Sequence, residues 1–578
     1  MPAIKILFQK LAVAVLACFV GTNLLFAEPT TETLVSEGRS AFEAKDYTLA
    51  YEKFSAAADM GNAEAQSRLG LMYEEGLGLA QDYGKAAEYY WLAAEQGFPW
   101  AQCQLGLMYV SGKGVPQNYA EALTYFERAA EQGSVAAQYN LGLMYHSGDG
   151  VVQDYSKALF YYRFAAEQGD SWAQYKLGEM YANGEGVLQD YVTAAEYYQQ
   201  AAEQGEDSAQ YQLGQMYENG EGVAQDYAKA AEYYEQAAGQ GNAWAQINLG
   251  LLYENGRGVA WNYRKALEYY QQAAEQGNAR AQTQLGMMYE NGRGVLQNYV
   301  KAAEYYRLSA EQGEVGGLCS LGMLYAEGNG VPQDYGRAVE CYMQAAEQGE
   351  PWAQAQLGQM YENGNGVAQD YNKAREYYQL AATQGNIWAQ GRIGLLYEKG
   401  NGVTQDYGKA QEYYQLAGRG GNAWAQAQLG LLYEEGKGVS QDYGKAVECY
   451  KLAAEQGSAW AQYHLGEMYE YGRGVVQDYV KAVAYFRQAA AQGDAAAQCE
   501  LGVLYGNGTG VAQDYGKAVQ YFRMAAVQGN IWAQYCLGML YENGAGVPKN
   551  PKEARNWYQK AAERGLQEAI DALQKLQF

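Results

Sequence analysis

A leucine followed by a glycine recurs along this chain at a spacing that never changes. Leu213, Leu249 and Leu285 stand 36 positions apart, and the same step joins Leu69, Leu105, Leu141, Leu177, Leu321, Leu357, Leu429, Leu465, Leu501 and Leu537. Ile393 takes leucine's place once, which makes fourteen copies with no insertion or deletion between landmarks. A fixed period of this length marks a stacked repeat array, in which each unit buries its apolar face only against its neighbours.

The stretch Gly241 to Gly277 serves as the reference unit. Asn242 is placed to cap a first helix, A, expected over roughly Ala243 to Tyr253. Ala245, Leu249, Leu252 and Tyr253 fall at i, i+4, i+7 and i+8, one stripe of a 3.6-residue period, and form the core face. Gly250 lies beside that stripe. A helical glycine costs about 1 kcal/mol against alanine, so its return in every unit predicts a packing notch where another helix comes close. A loop from Glu254 to Trp261 follows, with Gly256 and Gly258 free to take positive φ and Val259 as an apolar plug. An Asp or Asn precedes each second helix, from Asp82 and Asn118 through Asn262 to Asp514 and Asn550, as an N-cap would. Helix B, roughly Tyr263 to Gln276, carries Ala266, Tyr269, Tyr270, Ala273 and Ala274, small enough in places for tight antiparallel packing.

These residues resemble the Sel-one-like repeat, a branch of the tetratricopeptide superfamily with a glycine-rich interhelical loop. The likeness rests on A-x-x-x-L-G-x-x-Y (Ala245, Leu249, Gly250, Tyr253), G-x-G-V (Gly256, Gly258, Val259), then Asn262, Ala266, Tyr270, Ala273-Ala274 and Gly277. The resemblance implies an all-α, α/α solenoid, a right-handed superhelix of antiparallel helix pairs, whose members mostly act as adaptors and scaffolds. Two units depart from the pattern. Val315 to Cys319 replaces x-W-A-Q-x and puts two glycines into a first turn, which predicts a softer joint, and Asn550-Pro551 replaces Asp-Tyr in a way that still suits a helix start.

The remaining chain reads as ends. Residues 1–27 hold Lys5, Lys10, no acid and an apolar run from Leu11 to Ala27, the pattern of a cleaved export signal. Lipidation at Cys18 is the alternative. Residues 28–60 form a divergent capping repeat, 61–565 the tandem repeats, and 566–578 a capping helix with Ala569, Ala572 and Leu573 facing in. A periplasmic or secreted protein is expected, with no stable membrane insertion after signal cleavage.

Charge narrows the partners. The chain has 41 Lys and Arg against 66 Asp and Glu, a net charge of −25. Losing residues 1–27, with two lysines and no acid, leaves 39 against 66, or −27. Nucleic acid needs a basic surface to displace counterions, so it is not expected as a partner. No cofactor or metal is implied. The glycine loops lack the Gly-Lys-Ser/Thr ending of a phosphate cradle, and the acids beside them (Glu74, Glu218, Glu254, Glu362) lack alternating calcium ligands, so they read as solvated loop. His146 and His464 are far apart, and S-x-x-K, S-D-N and K-T-G are absent, which disfavours a β-lactamase-like or cell-wall hydrolase. Of the cysteines after Cys18, only pairs such as Cys319 with Cys341 or Cys499 with Cys536 come near enough to join, and mostly isolated thiols are expected.

The candidate binding positions lie on a second stripe of helix A, at Trp244, Ile247, Leu251 and Glu254. Tryptophan takes the first position at Trp100, Trp172, Trp244, Trp352, Trp388, Trp424, Trp460 and Trp532. The second varies most, with Tyr175, Ile247, Thr283, Ala355, Gly391, Tyr463 and Tyr535 among its occupants, and the third alternates between apolar and polar, as at Leu251. In the superfamily the matching positions line a concave peptide-gripping groove. The resemblance therefore implies a non-enzymatic adaptor gripping a protein or peptide, Pro-containing or basic. A glycan or peptidoglycan fragment stacked on the same aromatics is the second reading, and for each Trp the alternative is packing against the neighbouring unit.

Overall fold

The computed structural model describes residues 30–576; the export signal expected at residues 1–27, with Cys18, lies outside the described residues. Among the described residues there are 31 α-helices and no strand. They fall into two compact units divided between Ala281 and Gln282, within helix Ala279–Asn291, and the other helices pack on their chain neighbours within each unit. Each unit is a stretch of all-α solenoid. No described helix is long and apolar enough to cross a membrane.

In the reference repeat helix A is Ala243–Asn255 and helix B is Tyr263–Glu275. Asn242 Oδ1 accepts from the Ala245 N–H at 3.0 Å, and Asn262 Oδ1 from Arg264 and Lys265 at 3.0 and 3.1 Å. These caps satisfy first-turn donors that have no partner inside the helix. Gly256 ends helix A at φ 65°, and Gly258, at φ 68°, lies so close to the Tyr227 backbone of the preceding repeat that a side chain would collide with it. The Asn262 N–H reaches back to the Tyr253 carbonyl at 2.9 Å and closes the loop.

The notch predicted at Gly250 is the centre of the repeat. A methyl group there would lie 2.5 Å from Cε1 of Tyr270, whose ring is fully buried. Gly430 over Tyr450 and Gly466 over Phe486 repeat the arrangement at 2.6 Å, and Gly38 over Phe54 extends it into the divergent first pair, Thr31–Glu43 and Tyr47–Asp59. Carbon atoms attract best at about 3.5–4.0 Å, so only glycine lets helix A settle onto the ring. The buried hydroxyl then needs an acceptor. Tyr270 donates to Glu254 Oε2 at 2.9 Å, and Tyr90, Tyr234 and Tyr378 donate to Glu74, Glu218 and Glu362, each at 2.7 Å. The acids read as solvated loop therefore belong to the last turn of helix A and hold tyrosines. Burial first, with the facing carboxylate added, raises the Tyr270 hydroxyl pKa far above its usual range and keeps it a donor.

A second device joins successive repeats. Gln426, buried on helix A, donates from Nε2 to the Gly418 carbonyl of the preceding helix B at 2.8 Å, and its Oε1 accepts from Gln456 Nε2 at 2.8 Å. The same pattern recurs at Gln102, Gln174, Gln210 and Gln498. The ladder lapses where Leu318 replaces glutamine, and there Gln348 donates to the Gly313 carbonyl instead, at 2.9 Å.

The repeat expected to form a softer joint has a capped and closely packed first turn. Helix Val315–Glu327 starts under a firm cap, with Glu314 Oε2 accepting from the Gly317 N–H at 2.6 Å and the Thr283 hydroxyl at 2.7 Å. Gly317 lies against Ser309, whose Oγ would stand 2.5 Å from an added methyl, so its glycine serves close packing. Near the C-terminus Asn550 caps Pro551–Glu563, and Gln567–Lys575 follows with Ala569 fully buried and Ala572 and Leu573 partly so.

Gln426→Leu removes two hydrogen bonds of the ladder, although the Gly418 carbonyl keeps the Gly421 N–H and the Gln456 amide keeps the Leu452 carbonyl, and should cost about 0.5–1.5 kcal/mol of stability. Urea unfolding followed by circular dichroism at 222 nm measures this, and an unchanged midpoint would contradict the structural role of the ladder.

Candidate partner-binding face of helix A

The tryptophans of helix A divide into two sets. Trp424 packs edge-on against Tyr414 of the preceding helix B, ring centroids 5.6 Å apart, and Trp100, Trp352, Trp388 and Trp460 contact Tyr90, Tyr342, Tyr378 and Tyr450 in the same way. Trp172, Trp244 and Trp532 make no such contact and are the most exposed of the series at 49%, 47% and 52%.

The second position of the preceding repeat sorts the tryptophans into these sets, with Trp532 as the exception. Ile247, Thr283, Ala355, Gly391 and Ala427, expected on the open face, are buried. Their position opens toward helix B of the same repeat, so its occupant competes with the next repeat's tryptophan for one space. Where it is small, the tryptophan enters: Trp424 Cζ3 would lie 3.4 Å from a methyl on Gly391. Where it is tyrosine, that ring fills the space, as Tyr139, Tyr175, Tyr463 and Tyr535 do against Tyr162, Tyr198, Phe486 and Tyr558 at 5.6–5.9 Å. Trp172 and Trp244, which follow Tyr139 and Tyr211, are left outside. Trp532 follows buried Cys499 and turns toward Tyr535, 6.3 Å away. Much of the variation in this stripe is thus an exchange of volume within the wall. Leu251 is partly buried, and Tyr175 and Tyr463 donate to Glu179 and Glu467, one helical turn on, at 2.8 and 3.2 Å.

One acidic cluster escapes the sequence reading. Glu470, in helix Ala459–Tyr471, holds the place of Glu254, but helix B of its repeat offers Phe486 instead of tyrosine. Glu470 is 9% exposed, and its Oε2 has no hydrogen-bond partner among the described residues. Glu500 of the next helix A faces it. Burial, then Glu470 and Glu467, push the Glu500 carboxyl up to about 7. The signal that could have found the cluster is Phe486 itself, read against the tyrosine of most helices B.

The six cysteines of the described residues are free thiols. Burial raises Cys499 to about 12 and Cys536 to about 11, well above the range of a thiolate nucleophile.

Antiparallel helix pairs in fixed register, interlocked through glycine and tyrosine, with a partly open aromatic face, define the repeat-solenoid class of protein-interaction scaffolds. The chain belongs to the Sel1 repeat family, whose profile matches fourteen successive stretches from residues 63–98 to 533–566. Its fold is similar to that of a protective antigen present in uropathogenic Escherichia coli strains, 38% identical with a TM-score of 0.63 over 78% of this chain and 97% of that one. A Sel1 repeat protein from Oxalobacter formigenes is 36% identical, with a TM-score of 0.45 over 54% of this chain and 90% of its own. No curated protein matches the chain.

Two outcomes follow. Trp424→Ala removes an aromatic pair worth about 0.5–1.5 kcal/mol beyond area, so it should lower the urea midpoint clearly more than Trp244→Ala; equal losses would refute the division. Glu500 holds its proton more tightly folded than unfolded, where its pKa is about 4.3. Its favourable contribution is complete below that value and is lost as pH rises through about 7. Glu500→Gln should therefore flatten part of the fall in melting temperature between about pH 5 and 8, and an unaltered profile would show that Glu500 titrates normally.

Proposed function

We propose that this protein is an exported, non-enzymatic bacterial adaptor that holds an extended protein or peptide along the helix A face. The observation that carries this reading is the exposure of Trp172, Trp244 and Trp532, large apolar rings that their own neighbours leave uncovered. Aromatic side chains of this kind supply contact area at small entropic cost. Each repeat offers a small patch, and many weak contacts along one ligand add through effective concentration. The charge of −25 favours a basic partner and opposes nucleic acid. Lys5, Lys10 and the apolar run Leu11 to Ala27 support export, and a protective antigen among its relatives fits a periplasmic or secreted location. Raised thiol pKa values and the missing hydrolase motifs support the absence of catalysis.

The test is affinity capture from envelope extracts with residues 28–578, wild type beside Trp172→Ala/Trp244→Ala/Trp532→Ala. These three rings do not wedge the repeats, so the variant should keep the wild-type melting temperature and lose a specific protein that wild type retains. Raising salt should weaken retention, because exposed charges are screened within about 8 Å at physiological ionic strength. Identical captures by both proteins would overturn the assignment of the face, and salt-insensitive retention of glycan fragments would favour the carbohydrate reading.

A further inference from the structure

Where this chain has a glutamate at the end of helix A it is answered by the tyrosine of helix B, Glu470 apart, and in some repeats a second polar side chain approaches the pair. That second side chain comes from the next helix A. Arg392 is the clearest case: it pairs with Glu362, which also accepts from Tyr378, while its guanidinium lies 5.8 Å from the Trp388 ring centroid. Asn248 occupies the same register and donates to Tyr234, the partner of Glu218, at 3.2 Å. His464 stands 3.9 Å from Glu434 in this register, though it lies nearer to Glu467 of its own helix, at 3.1 Å. The register thus places the side chain before the Leu-Gly landmark against the glutamate of the repeat before it.

At Glu470 both partners are missing. Phe486 supplies no hydroxyl, and the register that brings Arg392 to Glu362 brings Glu500 to Glu470, acid against acid. Glu467 adds a third carboxylate, held by Tyr463 and 3.1 Å from His464 Nδ1, so Glu470 and Glu500 are the two left unanswered. Arg473, the nearest basic side chain in sequence, is turned to Glu434 at 3.8 Å and to the Tyr471 ring. An uncompensated buried carboxylate is costly unless a cation answers it. The cation that this chain itself sets against a glutamate in this register is a guanidinium, Arg392 on Glu362, so the cation that fits is an organic one.

We infer that the Glu470–Glu500 pair is a receptor for an arginine side chain of the bound partner, which takes the place that Arg392 fills from within the chain at Glu362. A guanidinium presents donors in a planar fork that two carboxylates satisfy together. The inference deepens the adaptor reading and rests on it: it names a basic ligand and fixes one point of its register. At neutral pH Glu500 is partly protonated, so an entering cation displaces a proton from it. The charged and titratable groups around that carboxyl are Glu467, Glu470, Tyr463, Cys499 and Cys536, with His464 beside Glu467 and Tyr471 beyond them.

The test uses the full chain and a short blocked oligo-arginine peptide, followed by isothermal titration calorimetry at neutral pH. Glu470→Gln/Glu500→Gln should weaken binding by about tenfold or more, whereas Glu304→Gln/Glu340→Gln, which removes the same charge from exposed helix B positions, should change it by about twofold at most. Glu500→Arg supplies the cation internally and should abolish the site. Phe486→Tyr gives Glu470 its hydroxyl and should weaken binding without disturbing the fold. Wild-type binding heats should depend on the ionisation enthalpy of the buffer, showing proton release. The inference is overturned if wild type does not bind, if the exposed pair loses as much affinity, or if Glu500→Arg binds like wild type. The wider adaptor reading is scored on the tryptophan variant and its captured protein, so either can fail alone.

Discussion

A bare Cα pressed against an aromatic ring is the contact on which this structure depends. Gly250 and its equivalents give up about 1 kcal/mol of helix propensity each, and in return helix A approaches Tyr270 more closely than any other residue allows. The depth of that approach buries the tyrosine completely and therefore obliges its hydroxyl to find an acceptor, which fixes a glutamate in the last turn of helix A. Gly258 on the Tyr227 backbone and the glutamine ladder then pass the same spacing to the next repeat. No insertion between landmarks can be absorbed when each contact fixes the register of the next.

Much of this was legible in one unit of sequence. The period, the core stripe of Ala245, Leu249, Leu252 and Tyr253, the asparagine caps and the notch at Gly250 all follow from local rules, because helices and caps are decided within a few residues. What escaped notice depends on which helix faces which. The second position of helix A looks open on a helical wheel, yet Ile247 is buried, because helix B of its own repeat leans over it. Glu254 looks like a loop acid until the tyrosine sixteen residues on is found beside it. The two glycines of Val315 to Cys319 were read by backbone entropy alone, and the contact of Gly317 with Ser309 depends on the facing helix.

The same distinction bears on the candidate site. A row of eight tryptophans suggests eight binding residues, but five of them plug the wall beside small neighbours such as Gly391 and Ala355. Trp172 and Trp244 stay outside because a neighbouring tyrosine fills that place, and Trp532 turns toward Tyr535 instead. Function in such an array is carried by departures from the packing rule, and the pairing of Glu470 with Phe486 and Glu500 is the sharpest of them: most repeats spend their glutamate on a tyrosine, and this one leaves it unspent.

The central claim is that glycine is present because the ring is. A double-mutant cycle of Gly430→Ala and Tyr450→Leu tests it directly, read by urea unfolding. With the ring in place Gly430→Ala should cost about 1–3 kcal/mol through overpacking. With leucine opposite, the same change should be neutral or favourable, since alanine is the better helix former by about 1 kcal/mol. An equal cost in both backgrounds would contradict the account, because the glycine would then serve something other than the tyrosine beneath it.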